Sequence, residues 1–214
     1  MSNKDDKELP MKETTIRLPA PQLSGKVSLE ETIAQRRSVR RYLKEPLDLF
    51  KLSQILWAAQ GITHPRGLRA APSAGATYPL EIFVVSGDGS VKELPAGSYQ
   101  YLVDSHSLEL HRAGDFRPDL ARAALRQNFI VEAPLDIVIC AVYRRTCDTY
   151  GKRGERYIHM EVGHVGENIH LQVVALGLAS VEVGAFRDDE VSKVLCLDET
   201  VKPLYIMPVG KSAH

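Results

Sequence analysis

Several features that commonly reveal a protein's chemistry are missing from this sequence. The chain has three cysteines among its 214 residues, an odd number with no CxxC pair. Neither a disulfide framework nor a structural zinc site is therefore expected. Walker A and GxGxxG motifs are absent, which excludes nucleotide binding through those loops. The GxSxG turn is also absent, so a catalytic triad built on it is not expected.

Net charge and long apolar runs are lacking as well. The 27 basic residues balance the 27 acidic ones, which disfavours a general nucleic-acid or membrane-surface binder, because such proteins need a summed basic field. The longest apolar stretch, LDIVICAVY at 135–143, is too short to cross a bilayer. Residues 1–15 contain no apolar core of a signal peptide. We therefore expect a cytoplasmic protein with reduced cysteines that binds neither nucleic acid nor membrane.

The residues that are present predict one packed α+β domain. Hydrophobic residues make up 44% of the chain and charged residues 25%, as in ordinary globular proteins. Residues 1–27 have no periodicity and predict an irregular arm, which either wraps a neighbouring subunit or is disordered; residues 28–214 form the domain. Helices are predicted at 28–37, 48–60, 118–128, 157–177 and 188–195. Strands are predicted at 80–85, 99–103, 107–111, 135–143, 181–183 and 204–209. Strands in hairpins and helices in clusters, without regular alternation, indicate the α+β class.

Three segments have the composition of ligand-binding sites, and each also has a plain structural explanation. RRSVRR at 36–41 offers guanidinium groups that bind phosphate bidentately, or is a basic helix C-terminus that complements the macrodipole. If the first helix continued through it, Arg36 and Arg40 would lie on nearly one face. PSAGATYP at 72–79 is a small-residue loop whose backbone can touch a flat ligand, or a simple connection. VEVGAF at 181–186 ends a strand in a Gly-Ala turn with free backbone amides, or merely turns the chain.

A metal site on the long helix is not expected. Its candidate ligands are His159, Glu161, His164 and His170. His159 and His164 differ by about 140° around the helix, and His159 and His170 are separated by roughly 16 Å along its axis. One helix cannot bring them to a single ion.

The order of these segments resembles the nitroreductase family of FMN-dependent oxidoreductases. It is most similar to the SagB-type branch, which includes dehydrogenases that form thiazoles and oxazoles in peptides. The resemblance covers roughly residues 16–211 and is carried by IRLPAP (16–21), RRSVRRY (36–42), LSQILWAAQGI (52–62), APSAGATYPLEIFVV (71–85), YGKRGERY (150–157), EVGHVGENIHLQVVALGL (161–178), VGAF (183–186) and PLYIMPVG (203–210). It implies a three-layer fold with a central, mostly antiparallel sheet between helices, and a homodimer with FMN at the interface. It also implies hydride transfer from NAD(P)H to a small acceptor such as a quinone or a nitroaromatic.

The resemblance further assigns roles to individual residues. Arg36 would pair with the FMN phosphate, with Arg37 and Ser38 along the phosphate and ribityl chain. Arg40 would reach the pyrimidine edge of the isoalloxazine, where a fixed cation favours hydride acceptance. The other implied cofactor contacts are Pro72, Ser73, Ala74 and Gly75 from the other subunit, Val183, Gly184 and Ala185 over the ring, and Lys211 at the phosphate.

One departure from the resemblance bears on the reaction. Azoline-forming members carry a Lys-Tyr pair just before the stretch that matches YGKRG, whereas this chain has Thr149-Tyr150. Loss of the lysine removes a proton-handling group, which favours a stand-alone reductase. Arg40 and Tyr150 are the candidate catalytic residues; Tyr150, Arg153 and Tyr157 either line the substrate side of the ring or pack as ordinary structure. A SagB-type dehydrogenase of a small or peptidic substrate and a non-catalytic flavin-binding dimer are the alternatives.

Overall fold

A single antiparallel sheet forms the middle layer of the protein. The computed structural model describes residues 15–213. The strands of the sheet are β1 (Thr15–Arg17), β2 (Leu80–Ser86), β3 (Gly97–Leu102), β4 (Ser107–Ala113), β5 (Leu135–Val142), β6 (Ala179–Ser180) and β7 (Val201–Gly210). Their order across the sheet is β1-β4-β3-β2-β5-β7-β6, and each pair of neighbours is antiparallel. The predicted α+β class and the mostly antiparallel sheet are confirmed.

Helices cover both faces of this sheet. Their bounds are α1 (Leu29–Gln35), α2 (Leu49–Gln60), α3 (Arg117–Ala123), α4 (Phe129–Glu132), α5 (Arg144–Tyr150), α6 (Arg153–Ala175) and α7 (Asp188–Leu195), with a 3-10 turn at Ala74–Ala76. The start of α1 is capped by Ser28, whose hydroxyl accepts a hydrogen bond from the Glu31 amide at 3.1 Å. Between residues 15 and 213, no helix is both long and apolar enough to cross a membrane.

The alternation of side chains along β5 explains the three layers. Successive side chains of a strand point to opposite faces, and all but the last residue of β5 are buried. Leu135, Ile137 and Ile139 enter one core together with the apolar faces of α2 and α6. Val138 and Cys140 enter a second core with α3 and α7. The almost continuous apolar run at 135–143 is typical of such a central strand, covered on both sides.

Several predicted boundaries are wrong. α1 ends at Gln35 and not at Arg37, so the arginine segment leaves the helix as extended chain. The helix predicted at 118–128 ends at Ala123, because Leu125 and Arg126 adopt positive φ angles of 57° and 63°, and a separate helix, α4, begins only at Phe129. Residues 144–150, expected as loop, form α5, and α6 starts at 153 instead of 157. The strand expected at 181–183 is a two-residue strand at 179–180, followed by a bridge from Val183 to Ile206.

The last part of the N-terminal segment is attached to the domain of its own chain. Residues 15–17 form β1, which pairs with β4 at the sheet edge, so this part is not irregular as predicted. The Pro19 carbonyl accepts a hydrogen bond from the Ser53 hydroxyl at 2.5 Å. His106 Nε2 lies 2.7 Å from the same hydroxyl, while its Nδ1 lies 2.8 Å from the Tyr101 hydroxyl. Residues 1–14 of the predicted arm lie outside the described residues, and the boundary at 27 stays a prediction.

Candidate active site

The arginine segment runs beside the edge of the sheet formed by β6 and the end of β7. Ser38 pairs in parallel with Ser180, and the Val39 amide donates to the Ser180 carbonyl at 3.0 Å. Arg36 is half-exposed, and Arg37, Ser38 and Arg40 are exposed. Because α1 has already ended, helical spacing cannot bring Arg36 and Arg40 to one face. Both guanidinium groups are nevertheless accessible to an anion at this edge.

Arg37 has a structural task of its own. Its guanidinium donates to the Ala34 carbonyl at 3.0 Å and to the Arg36 carbonyl at 2.7 Å. It therefore satisfies carbonyl groups where α1 ends. This matches the structural explanation of the arginine cluster for one of its four arginines.

The C-terminal residues bring another cation to the same edge. The Leu43 amide donates to the Lys211 carbonyl at 2.9 Å, and the Ala213 amide donates to the Arg41 carbonyl at 3.1 Å. Lys211 therefore follows β7 directly alongside the arginine segment. Its Nζ lies 3.0 Å from Glu45, and both side chains are about half exposed. An exposed pair of this kind is weak and screened by salt, so it leaves Lys211 able to exchange Glu45 for another anion.

The backbone of the Gly-Ala turn after β6 is exposed at the protein surface. The amides and carbonyls of Val183 and Ile206 pair at 2.9 and 3.0 Å, which fixes the chain up to Val183. Gly184 and Ala185 are exposed. A Cβ at Gly184 would lie 3.5 Å from the Tyr205 ring. The Ala185 carbonyl accepts a hydrogen bond from Gln127 at 3.0 Å.

A buried histidine–glutamate pair links this turn to the long helix. Glu182 Oε2 lies 2.6 Å from Nε2 of His170, which is almost fully buried. Burial opposes ionisation of Glu182, but the hydrogen bond and charge of His170, helped by Arg36, lower its pKa overall. The Glu182 side chain also passes over Gly166, 3.5 Å from the position that a Cβ would take. Sequence reasoning missed the pair, although Glu182 stands between two inward-facing valines and so points to the opposite side, toward α6.

The small-residue loop at 72–76 contacts the segment that carries Tyr150. Gly75 has φ +60°, a left-handed conformation that favours glycine. A Cβ there would lie 2.6 Å from the Tyr150 hydroxyl. The Ser73 hydroxyl accepts a hydrogen bond from the Tyr78 amide at 3.0 Å, which holds the turn. The Tyr150 ring meets the Tyr157 ring edge-on at 5.2 Å between centroids.

A buried carboxyl lies under this loop. Glu161 of α6 is 2% exposed, and its Oε1 has no hydrogen-bond partner among the described residues. Burial raises the pKa of Glu161, and the nearby polar groups of Ser73 and Gln60 offset part of the rise. Sequence reasoning considered this glutamate only as a metal ligand. No group of three His, Cys, Asp or Glu residues within 15–213 is arranged to hold a metal ion.

The predicted site residues thus form two groups within one chain. The first group, which we call the cationic edge, contains Arg36–Arg40, residues 183–185 and Lys211. The second, the loop group, contains residues 72–75 and Tyr150. Glu161 of α6 lies at the loop group, and His170 of α6 contacts Glu182 at the cationic edge. Since a helix rises about 1.5 Å per residue, these two contacts lie roughly 13 Å apart along α6.

Comparison with known proteins places this chain in a family. The family model described as the nitroreductase family matches residues 33–211. A protein of Methanocaldococcus jannaschii, named "Putative nitroreductase MJ1384", is 46% identical over 197 residues, which cover 92% of this chain and 97% of that protein. The chain belongs to the nitroreductase family. This membership implies oxidoreductase activity.

Solved structures and peptide-processing proteins add to the comparison. A crystal structure from Ralstonia eutropha JMP134, whose name also calls it a nitroreductase, superimposes with a TM-score of 0.83 at 32% identity. The alignment covers 96% of this chain and 93% of that one. The microcin B17-processing protein McbC of Escherichia coli is 27% identical over 172 residues, covering 78% of this chain and 63% of that protein. The predicted similarity to the SagB-type branch is therefore confirmed as well.

Proposed function

We propose that the protein is an FMN-dependent oxidoreductase that passes hydride from NAD(P)H through the flavin to a small acceptor. The observation that carries this proposal is the cationic edge. Backbone pairing of residues 38–43 with β6 and with the chain after β7 brings Arg36 and Arg40 to the sheet edge where Lys211 also lies, and Gly184 and Ala185 after β6 are exposed. A cluster of accessible cations suits a phosphate, and an exposed glycine backbone suits the close approach of a flat ring.

The residues of the cationic edge fit FMN chemically. Arg36 and Lys211 would hold the phosphate, with Arg37 and Ser38 beside it. Arg40 would face the pyrimidine edge of the isoalloxazine, where negative charge develops on reduction. A fixed cation there stabilises the reduced state. Val183, Gly184 and Ala185 would present backbone to the ring. FMN itself supplies the hydride chemistry when bound, and the chain orients it and tunes its potential.

A homodimer would complete the site. The loop group lies roughly 13 Å along α6 from the cationic edge of its own chain, so a symmetric partner is the natural source of a loop for the ring. Apolar side chains favour such a partner: Leu23, Leu29 and Ile33 are 84%, 61% and 56% exposed. Leu29 also borders an open groove of about 780 Å³ lined by residues 22–27 and by parts of α2 and α6. Burial of this apolar surface would stabilise a dimer.

The flavin's colour tests the proposal. The purified protein should be yellow or become yellow when loaded with FMN, and the flavin should bleach anaerobically with NADH or NADPH. It should then be reoxidised by a quinone or a nitroaromatic. Protein that cannot be loaded with FMN would overturn the proposal. Size measurement should give a dimer, and a stable FMN-bound monomer would contradict the shared site.

Arg40→Ala provides the residue-level test. We expect normal FMN binding and a reduction potential lower by tens of millivolts, since about 30 mV of a two-electron couple corresponds to 1.4 kcal/mol. Arg36→Ala is the matched variant, because it should weaken FMN binding instead. Loss of one charged hydrogen-bond partner costs about 1.5–3 kcal/mol, or roughly ten- to a hundredfold in affinity. An unchanged potential and reduction rate in Arg40→Ala would refute the assigned role.

Similarity to McbC supports a second candidate, a flavin dehydrogenase that oxidises a small or peptidic substrate. Thr149-Tyr150 in place of a Lys-Tyr pair speaks against oxidation of peptide azolines. Flavin that binds but that neither nicotinamide bleaches would favour this candidate or a non-catalytic flavin-binding dimer. Oxygen-dependent turnover of an azoline-containing peptide would then separate the two.

A further inference from the structure

The chain from the end of β5 through the first turn of α6 is rich in positive charge. Residues 144–156 contain five basic residues and two acidic ones, although the whole chain is neutral. Arg145 is paired with Glu81, and Arg144 lies 3.9 Å from Asp148. Lys152, Arg153 and Arg156 have neither an ion pair nor a side-chain hydrogen bond with any residue in the described range 15–213.

These three free cations border an open groove. The groove has a volume of about 700 Å³ and is lined by Lys152, Arg153, Glu155, Arg156, His159 and Met160. Glu155 is the single carboxylate among these lining residues, so the wall of the groove carries a positive net charge. His159 is held in place by the Tyr143 hydroxyl, 2.8 Å from its Nε2.

The position of these cations does not serve the stability of the helix. Lys152 is the N-cap of α6, and Arg153 and Arg156 lie in its first turn and a half. Positive charge is unfavourable at the positive end of a helix dipole. The same protein places Glu30 and Glu31 at the start of α1, and acidic residues at the start of α7. The cations at α6 therefore need an explanation other than support of the helix.

The groove adjoins the loop group through two aromatic rings. Tyr157 follows Arg153 by four residues, so the two side chains lie on the same face of α6. The Tyr157 ring contacts the Tyr150 ring, and Tyr150 in turn packs on Gly75. A molecule that reached a flavin beside residues 72–75 would therefore pass close to the free cations.

We propose that Lys152, Arg153 and Arg156 bind an anionic group, a phosphate, carboxylate or sulfonate, of the small molecule that exchanges electrons at the flavin. The inference rests on the proposed function and specifies the substrate class of that site. The anion belongs either to the nicotinamide donor or to the acceptor. In both cases the cations raise the rate of encounter and orient the molecule toward the ring.

The test compares charged and neutral reactants with the flavin-loaded protein. The variant is Arg153→Glu/Arg156→Glu, with Arg153→Gln/Arg156→Gln as an intermediate change. Lys51→Glu/Lys92→Glu is the matched control, because it changes the total charge by the same amount. Lys51 lies in α2 and Lys92 follows the end of β2, whereas Arg145 ties the groove segment to Glu81 at the start of β2. In the reductive arm, anaerobic stopped flow follows bleaching by NADPH, NADH and the uncharged 1-benzyl-1,4-dihydronicotinamide. In the oxidative arm, dithionite-reduced flavin is reoxidised by neutral menadione and by anionic 1,2-naphthoquinone-4-sulfonate.

Charge reversal in the groove should slow at least one anionic reactant by about tenfold or more at low salt, because steering of this kind changes association rates by 10–10³. The rate of the neutral reactant in the same arm should stay nearly unchanged. The effect should be about halved, on a logarithmic scale, in the glutamine variant. It should fade near 1 M salt, where the Debye length is about 3 Å. The arm that responds identifies whether donor or acceptor carries the anion.

Two results would overturn the inference. Equal slowing of charged and neutral reactants would mean that the variant disturbs the site itself. An equal effect of the lysine control would mean that only total charge matters. Failure of the proposed function looks different. The protein would then take up no FMN, or no reactant would reduce or reoxidise the bound flavin. In either case there are no rates to compare, and both proposals fail together.

Discussion

Substitution of Gly75 by alanine should destabilise the protein for two separable reasons. The first is the backbone, because φ at this glycine is +60° and the left-handed conformation costs an ordinary residue about 1–2 kcal/mol. The second is contact, because a new Cβ would lie 2.6 Å from the Tyr150 hydroxyl, a separation that side chains do not tolerate. The hydroxyl must move, and this adds about 1 kcal/mol or less since Tyr150 is partly exposed and can rotate.

Another glycine of the same chain separates the two effects. Gly67 has φ +77°, but nothing lies within 4 Å of the position its Cβ would take. Gly67→Ala should therefore show the backbone cost alone, and Gly75→Ala should exceed it. Tyr150→Phe removes the nearest atom and should return part of the difference when combined with Gly75→Ala. Urea denaturation of all four variants at one protein concentration, with and without FMN, measures these free energies of unfolding.

The outcome bears on the site as well as on stability. If Gly75→Ala cost no more than Gly67→Ala, Tyr150 would not pack on the 72–76 loop, and the loop group would lose its basis. If neither variant were destabilised, the conformational reasoning itself would fail. A coupling of about 0.5 kcal/mol or more between Gly75→Ala and Tyr150→Phe is the expected signature of direct contact.

Three further predictions concern buried and capping groups. Burial lowers the pKa of His106 from its ordinary 6.5, against a smaller opposing effect of the Pro19 carbonyl. The folded state therefore disfavours the protonated imidazole, so the contribution of His106 to stability should be complete above pH 6.5 and should be lost as the pH drops through the lower pKa of the folded state. Thermal melts across this pH range would show the loss. Burial raises the pKa of Asp136, and Arg117 only partly opposes it. The folded state therefore favours the protonated acid, and wild type should lose stability relative to Asp136→Asn as the pH rises above the ordinary carboxyl pKa of 3.8. Arg37→Ala should lose about 1 kcal/mol of stability with its capping hydrogen bonds, yet bind FMN better than Arg36→Ala in a fluorescence titration. An equal loss of affinity in both arginine variants would contradict the capping role.

The sequence was sufficient to predict the elements whose burial pattern is strong. β5 is apolar except for Asp136 and is central. α2, whose Asp48 cap and apolar face agree, and α7 have the predicted bounds within one residue. The weaker boundaries depend on contacts that a single sequence does not display. α5 forms at 144–150 although its composition is that of a polar loop, and Arg145, which bonds Glu81 and the Tyr78 carbonyl, ties it to the start of β2. Leu125 and Arg126 break a helix by adopting positive φ, which no glycine or proline signals.

The motifs of the site could be predicted from the sequence, but their arrangement in space could not. Arg36 and Lys211 lie far apart in sequence, and only the pairing of residues 38–43 with β6 and the chain after β7 brings both to one edge of the sheet. Glu161, Glu182 and His170 were missed as site neighbours because each is an ordinary polar residue of a helix or strand in the sequence. Their significance comes from burial beside another element, which is a tertiary property.

The position of α6 explains why both groups of site residues depend on one helix. Glu161 lies under the loop group and His170 contacts Glu182 at the cationic edge, so the register of α6 sets both contacts at once. Each residue advances a helix by about 100° and 1.5 Å. An insertion between Glu161 and His170 would therefore turn one contact away from its partner whichever end stayed in place. In a symmetric dimer an isologous interface repeats every contact. The α6 of each protomer would then set the distance between its cationic edge, which would bind one flavin, and its loop group, which would contact the other flavin.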